Sequence, residues 1–150
     1  MRQKILMNTD GSCIGNPGPG GFACIYEKHG KERIVQGRAY NATNNKMELI
    51  AAIRGLMDLT EPSDVTIRSD STYIMVTPEL WMKWQKKKTI PNKKLWEKYF
   101  DVIKKGGHTV SYLHVDGHTG DEMNERCDKY ARAQAVRAMH EAYERGMFDA

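Results

Sequence analysis

The chain reads as an α/β domain, a mixed sheet covered by helices, and three observations carry that expectation. Strand-length apolar runs come first, at 4–13, 21–28 and about 32–40, with turn residues between them and no helical pattern. Helical periodicity then begins at 44–59, with Leu49, Ile53 and Leu56 on one face and Ile50 and Met57 beside them. Beyond that point strands and helices alternate. Three meandering strands followed by strands spaced by helices imply a mixed sheet with helices packed on it.

Taken in order, Gly15-Asn16-Pro17-Gly18-Pro19-Gly20-Gly21 turns the first strand into the second, and His29-Gly30-Lys31 makes the next hairpin. Thr43-Asn44-Asn45 supplies side chains suited to capping the first helix. Glu61-Pro62-Ser63-Asp64 ends it, and a fourth strand covers 65–69. Short helices are predicted near 71–77 and 80–88, a longer one near 95–105, a strand near 109–115 and a closing helix over 121–145. Thr119-Gly120-Asp121-Glu122 has the spacing of a capping box, and Gly146 is a natural stop.

At 150 residues the chain is expected to be a single domain, long enough to bury a core without cross-links. Its net charge of +4 favours an anionic partner. Cys13, Cys24 and Cys127 show neither a C-x-x-C pair nor zinc spacing, so they read as reduced thiols in a cytoplasmic protein. The apolar run after Met1-Arg2-Gln3-Lys4 is too short for a secretion signal, and no stretch is long enough to cross a membrane.

Four carboxylates in unlike settings concentrate the chemistry. Asp10 ends an apolar run, Glu48 lies early in the first helix on the flank of its buried face, Asp70 closes a strand, and Asp128 sits one or two turns into the last helix. If the fold gathers them, their mutual repulsion demands cations. An all-carboxylate set without a histidine cage suits Mg²⁺, which keeps water and phosphate ligands. Two such ions about 4 Å apart supply a nucleophile and neutralise charge at a phosphodiester. Each acid taken alone has a plain alternative as a turn former or surface charge.

Flanking motifs add a resemblance. Thr9-Asp10-Gly11-Ser12-Cys13 with the following Gly/Pro turn, Thr43-Asn44-Asn45 with Met47-Glu48-Leu49, Ser69-Asp70-Ser71, Gly117-His118-Thr119-Gly120 and Asn124-Glu125-Arg126-Cys127-Asp128 occur in this order across nearly the whole chain. Together they resemble the type 1 ribonuclease H family. The resemblance implies the ribonuclease H-like fold, a five-stranded mixed sheet whose first three strands are antiparallel, flanked by helices. It implies a metal-dependent endoribonuclease that cleaves the RNA strand of an RNA–DNA hybrid to 3′-hydroxyl and 5′-phosphate ends. Asp10, Glu48, Asp70 and Asp128 would hold two Mg²⁺ (or Mn²⁺) ions, with Asp10 between them, Asp128 on the water side and Glu48 and Asp70 on the leaving-oxygen side. His118 would move protons or ease product departure, in keeping with its residue type. Thr43 and Asn45 would hold a phosphate of the DNA strand, and Asn16 and Asn44 would touch the minor groove, with Asn124 near the substrate. The protein would act as a monomer.

Residues 81–98 carry seven lysines and one acid, Glu97, with Trp81, Trp84 and Trp96 interleaved. Such like-charge crowding suits a phosphate track and resembles the family's basic protrusion. Trp81, Lys83, Trp84, Lys86, Lys87 and Lys88 are therefore expected to contact nucleic acid; the plain alternative is a solvated face with tryptophan packing anchors. Thr72 and Asp116 depart from the family pattern, where glutamine and a basic residue are common, and the protrusion is slightly short. His29, His108, His114 and His140 have no comparable setting and read as structural or solvated. Two other functions remain open on the residues alone: a non-catalytic hybrid-binding module, and a DNA-processing nuclease of the same fold. Clustered acids weigh against the first, and the Asn16 and Thr43-Asn44-Asn45 set weighs against the second.

Overall fold

The computed structural model describes residues 2–117 and 120–147. Strands β1 (Gln3–Cys13), β2 (Gly18–Lys28) and β3 (Lys31–Ala42) precede helix α1 (Asn44–Asp58), β4 (Ser63–Ser69), α2 (Pro78–Trp84), α3 (Lys93–Gly106), β5 (Thr109–His114) and α4 (Glu122–Glu144). The sheet order is β3-β2-β1-β4-β5. β2 runs antiparallel to both β1 and β3, whereas β4 runs parallel to β1 and to β5. This is the mixed five-stranded sheet expected above. It places the C-terminal ends of β1 and β4, which carry Asp10 and Asp70, side by side.

Two glycines let helices close on opposite faces of the sheet. A Cβ at Gly11 would stand 2.5 Å from the Glu48 backbone nitrogen, so α1 lies directly on β1. A Cβ at Gly21 would stand 2.2 Å from the Ala131 carbonyl oxygen, so α4 lies equally close on β2. Ser12 pairs with Gly21 in the sheet, and successive strand residues face opposite ways. Gly11 and Gly21 therefore face opposite layers. With a helix on each side, β2 is buried almost throughout, and several of its residues are small, among them Gly20, Gly21, Ala23 and Cys24.

The main core lies between the sheet and α1 with α3, where Met7, Leu49, Leu56, Ile67, Trp96 and Tyr99 are fully buried. Trp96 anchors an aromatic cluster: it meets Trp84 and Tyr99 edge-on, each with ring centroids 5.6 Å apart. Trp81 stacks on Phe100 at 5.4 Å and is only 8% exposed. For Trp81 this corrects the expected nucleic-acid contact. Its indole faces inward because α2 is too short to be stable without docking its aromatic side on α3.

Other differences have local causes. No helix forms over 71–77, because Ser69 and Ser71 hydroxyls accept from the backbone N–H groups of Ser71 and Tyr73 and so compete with helical bonding. The next helix starts at Pro78, capped by the Thr77 hydroxyl, and ends at Trp84 rather than 88. β2 begins three residues early, at Gly18, through an irregular step between Gly18 and Gly20. Asp121, rather than the expected Thr119, is the N-cap of α4, its carboxylate accepting from the Asn124 N–H at 2.9 Å; Thr119 itself lies outside the described residues. Gly146 follows the end of α4 with φ +69°.

Gly21→Ala should be strongly destabilising, since a methyl group would force β2 and α4 apart. A loss of about 1–3 kcal/mol or more is expected in urea unfolding, the usual cost of overpacking. A midpoint unchanged from wild type would contradict so close an approach.

Candidate metal and nucleic-acid site

Three of the four predicted acids converge. Asp10, Glu48 and Asp70 each offer an oxygen, and these atoms all lie within 4.8 Å of one another. Three local features produce that convergence. β1 and β4 are neighbours and deliver Asp10 and Asp70 from adjacent strand ends. The Thr43 hydroxyl caps α1 by accepting from the Lys46 N–H at 3.2 Å, which fixes where the helix starts. The close packing of α1 on Gly11 then brings Glu48 over the end of β1.

Asp10 and Glu48 are buried, and one oxygen of each, Oδ2 and Oε2, has no hydrogen-bond partner among the described residues. Burial, followed by repulsion from Asp70, pushes the Asp10 carboxyl up to about 7. Glu48 is raised well above the ordinary range, first by burial and then by Asp10 and Asp70. The Gly11 N–H donates to Asp10 Oδ1 at 2.9 Å, which offsets only part of that shift. Buried carboxylate oxygens without a partner match what a hard divalent cation requires. The donor set is all oxygen, and it fits such an ion.

Asp128 stands outside the tight trio. It lines a cavity of about 360 Å³ together with Asp70, His114, Asp116, Gly117, Asn124, Glu125 and Arg132. Its carboxylate pairs with Arg132 one turn along α4, at 2.9 Å. The i,i+4 spacing is the signal that could have revealed this partner in the sequence. His114, expected to be structural or solvated, lines the same cavity, and its Nε2 lies 3.2 Å from the Asp70 carbonyl oxygen. No sequence signal distinguishes it from His108, which is structural, its Nδ1 accepting from the Ser63 N–H. His118 lies outside the described residues.

The predicted groove residues lie on the β1–β2 turn, at the start of α1, on α2 and the turn after it, and in the first turn of α4. Asn16, Asn44 and Asn45 are exposed and Thr43 is partly so. Asn16 Oδ1 accepts from the Asn44 N–H at 3.0 Å, which joins the β1–β2 turn to the start of α1. Asn124 is buried and lines the cavity. Lys83, Lys86, Lys87 and Lys88 are exposed around α2 and the turn after it. Lys87 Nζ sits 5.7 Å above the Trp84 ring, and both border a small hollow of about 210 Å³ with Tyr73 and Ile90.

A protein-family model described as RNase H matches residues 2–136. The chain belongs to the RNase H family. Among its relatives, the ribonuclease H of Nitratidesulfovibrio vulgaris is 44% identical, with 89% of this chain and 90% of that protein covered. The ribonuclease H of Thermus thermophilus is 41% identical, covering 89% and 85% respectively. Like these RNase H relatives, the chain is a nuclease. Of solved structures, LC9-RNase H1, described as a type 1 RNase H with the type 2 active-site motif, superposes with a TM-score of 0.78 at 26% identity over 92% of this chain and 74% of that one. LC11-RNase H1, solved in complex with an RNA/DNA hybrid, shares the fold with a TM-score of 0.70 at 24% identity, covering 89% and 98%.

The raised carboxyls carry a stability signature. Asp10 moves from 3.8 to about 7 and Glu48 moves in the same direction, so the unfolded chain releases these protons first as pH rises. Their contribution is fully present below the unfolded value and is lost through the folded one. Metal-free protein in chelator should therefore show a thermal midpoint that declines as pH rises from about 4 toward 7. Asp10→Asn should flatten that decline. An identical decline in Asp10→Asn would show that other groups cause it.

Proposed function

We propose that this chain hydrolyses the RNA strand of RNA–DNA hybrids, with Asp10, Glu48, Asp70 and Asp128 holding two Mg²⁺ ions. The observation that carries this reading is the pair of buried oxygens on Asp10 and Glu48 that have no partner among the described residues, within reach of Asp70 in a protein of net charge +4. When bound, the two ions supply a nucleophile at neutral pH and neutralise charge on the phosphoryl group and leaving oxygen.

The protein's own part is placement and proton movement. Asp10, Glu48 and Asp70 would supply carboxylate oxygens to the ions from the two strand ends and from α1. Asp128 would join them from α4 on giving up its pair with Arg132. Glu48 also accepts from the 2′-hydroxyl of the RNA strand, a contact that DNA cannot offer. His118 takes and returns protons near the scissile phosphate. Asn16 and Asn44, already joined by a hydrogen bond, form a single amide edge for the wide minor groove, and Asn124 supports the cavity wall. Thr43 and Asn45 hold a DNA phosphate at the N-terminal end of α1, where the helix dipole favours an anion. Lys83, Lys86, Lys87 and Lys88 steer the same strand, with Trp84 as an apolar backing. Every group named comes from one chain, so a monomer suffices, and reduced Cys13, Cys24 and Cys127 suit the cytoplasm.

The decisive experiment is strand-specific cleavage of labelled hybrid, duplex DNA and duplex RNA, with Mg²⁺ and with chelator. Cleavage confined to the RNA of the hybrid, and only with metal, is expected; cleavage of duplex DNA would overturn the assignment. Asp10→Asn should nearly abolish turnover while hybrid binding holds, because one metal ligand is removed and one repulsion with phosphate is relieved. His118→Ala should slow turnover by on the order of 10²-fold, the lower end for a positioned acid–base group, and wild-type rates across pH would make it a bystander. Changing Lys86, Lys87 and Lys88 together to Ala should lower the log–log salt slope of binding by roughly 0.7–0.9 for each lysine that neutralises a phosphate. An unchanged slope would return these lysines to a solvated face.

A further inference from the structure

Asn8 lies two residues before Asp10 on β1, and Arg68 lies two residues before Asp70 on β4. The two are register partners in the parallel pair. Arg68 Nη1 donates to Asn8 Oδ1 at 3.1 Å and to Asp121 Oδ1 at 3.0 Å, while its Nη2 donates to Asp121 Oδ2. Asp121 is the N-cap of α4. The Asn8 backbone is used as well: its carbonyl accepts from the Cys127 thiol at 3.2 Å, and Cys127 immediately precedes Asp128. A single junction thus ties the two strands that carry Asp10 and Asp70 to the helix that carries Asp128.

The first turn of α4 needs such a tether. Asp128 brings a further carboxylate to the cavity that Asp70 lines. Arg132, the ion-pair partner of Asp128, is mostly exposed and belongs to the same helix, so that pair does not anchor α4 to the sheet. Beyond its start α4 is held to β3 by two forked pairs, Arg126–Glu32 and Arg38–Glu141, and by its close approach to Gly21, which leaves the N-cap end to the Arg68 junction. We propose that Arg68 is a positioning residue for Asp128: the Asn8–Arg68–Asp121 junction fixes the start of α4 on the sheet and sets how far Asp128 reaches toward Asp10. A forked guanidinium–carboxylate pair is directional, and with side chains only 18% and 22% exposed this one is partly shielded from salt. Arg68 holds the Asp121 carboxyl down at about 2, so the tether stays charged at neutral pH. The inference rests on the proposed role of Asp128 as a metal ligand.

Arg68→Gln and Asp121→Asn break the pair from either side, and Asp121→Asn keeps a side chain able to cap α4. Each should raise the Mg²⁺ concentration for half-maximal cleavage by about tenfold, the lower end for loss of a residue that orients a metal ligand. Hybrid affinity in Ca²⁺ should stay within about twofold of wild type, and the double variant should be no worse than either single one. Independently of activity, backbone amides of 124–128 should exchange faster in hydrogen-exchange measurements on the metal-free protein, with those of α1 unchanged. Arg68→Lys, which keeps the charge and part of the bonding, should recover part of both effects and serves if Arg68→Gln fails to fold. Arg33→Gln, which breaks a distant pair with Asp58, should alter stability without altering Mg²⁺ dependence. Wild-type Mg²⁺ dependence and exchange in Arg68→Gln would overturn the positioning role. If Asp10→Asn is inactive in the same assay, that failure leaves the metal assignment standing; if Asp10→Asn is active, the metal assignment itself has failed.

Discussion

Everything near the site is arranged around repulsion between carboxylates. Two unit charges separated by 4.8 Å repel by about 3.5 kcal/mol at an effective dielectric near 20. Fully ionised, Asp10, Glu48 and Asp70 would present three such pairs at that distance or closer, and Asp10 and Glu48 are buried besides, which is why those two carboxyls hold their protons to higher pH. In their charged forms nothing but the fold favours this grouping. The fold imposes it, through the missing side chain at Gly11, the capped start of α1 and the parallel pairing of β1 with β4. Each device is local and modest, yet together they hold a polar cluster that isolated segments would disperse. A cation replaces the repulsion with attraction, which is how a structure held against its own electrostatics becomes a binding site.

Much of this is legible in the chain because the strand and helix periods are clear. The three opening strands, α1, the last strand and the last helix follow from alternation, capping residues and turn glycines, and the four acids stand out by their placement in those elements. The basic segment is legible as charge but not as packing. Trp81 and the lysines beside it share one sequence window, and only the docking of α2 on α3 separates an inward indole from outward ammonium groups. The stretch after Asp70 misleads because its serine hydroxyls bind the backbone, a competition that apolar spacing does not record.

The groups that escape a sequence reading are those whose meaning comes from strands or helices distant along the chain. Arg68 looks like an ordinary strand residue until Asp121, 53 positions away, is placed beside it. Neither His114 nor His108 sits in a recognisable motif, yet one lines the acidic cavity and the other accepts a backbone hydrogen bond from Ser63. Gly11 reads as one more residue of the first strand, while its physical use is to admit a helix. Register and layer, rather than residue type, decide these cases.

The aromatic cluster determines how the molecule can be watched. All three tryptophans of the chain, Trp81, Trp84 and Trp96, belong to the lobe formed by α2 and α3, and Trp96 touches Trp84 edge-on. Intrinsic fluorescence is therefore a regional reporter. It registers solvent reaching α2 and α3 and is nearly blind to α4 and the β2–β3 edge. An optical signal lost before the far-ultraviolet helical signal would mark this lobe opening by itself, with the acid-bearing strand ends still assembled.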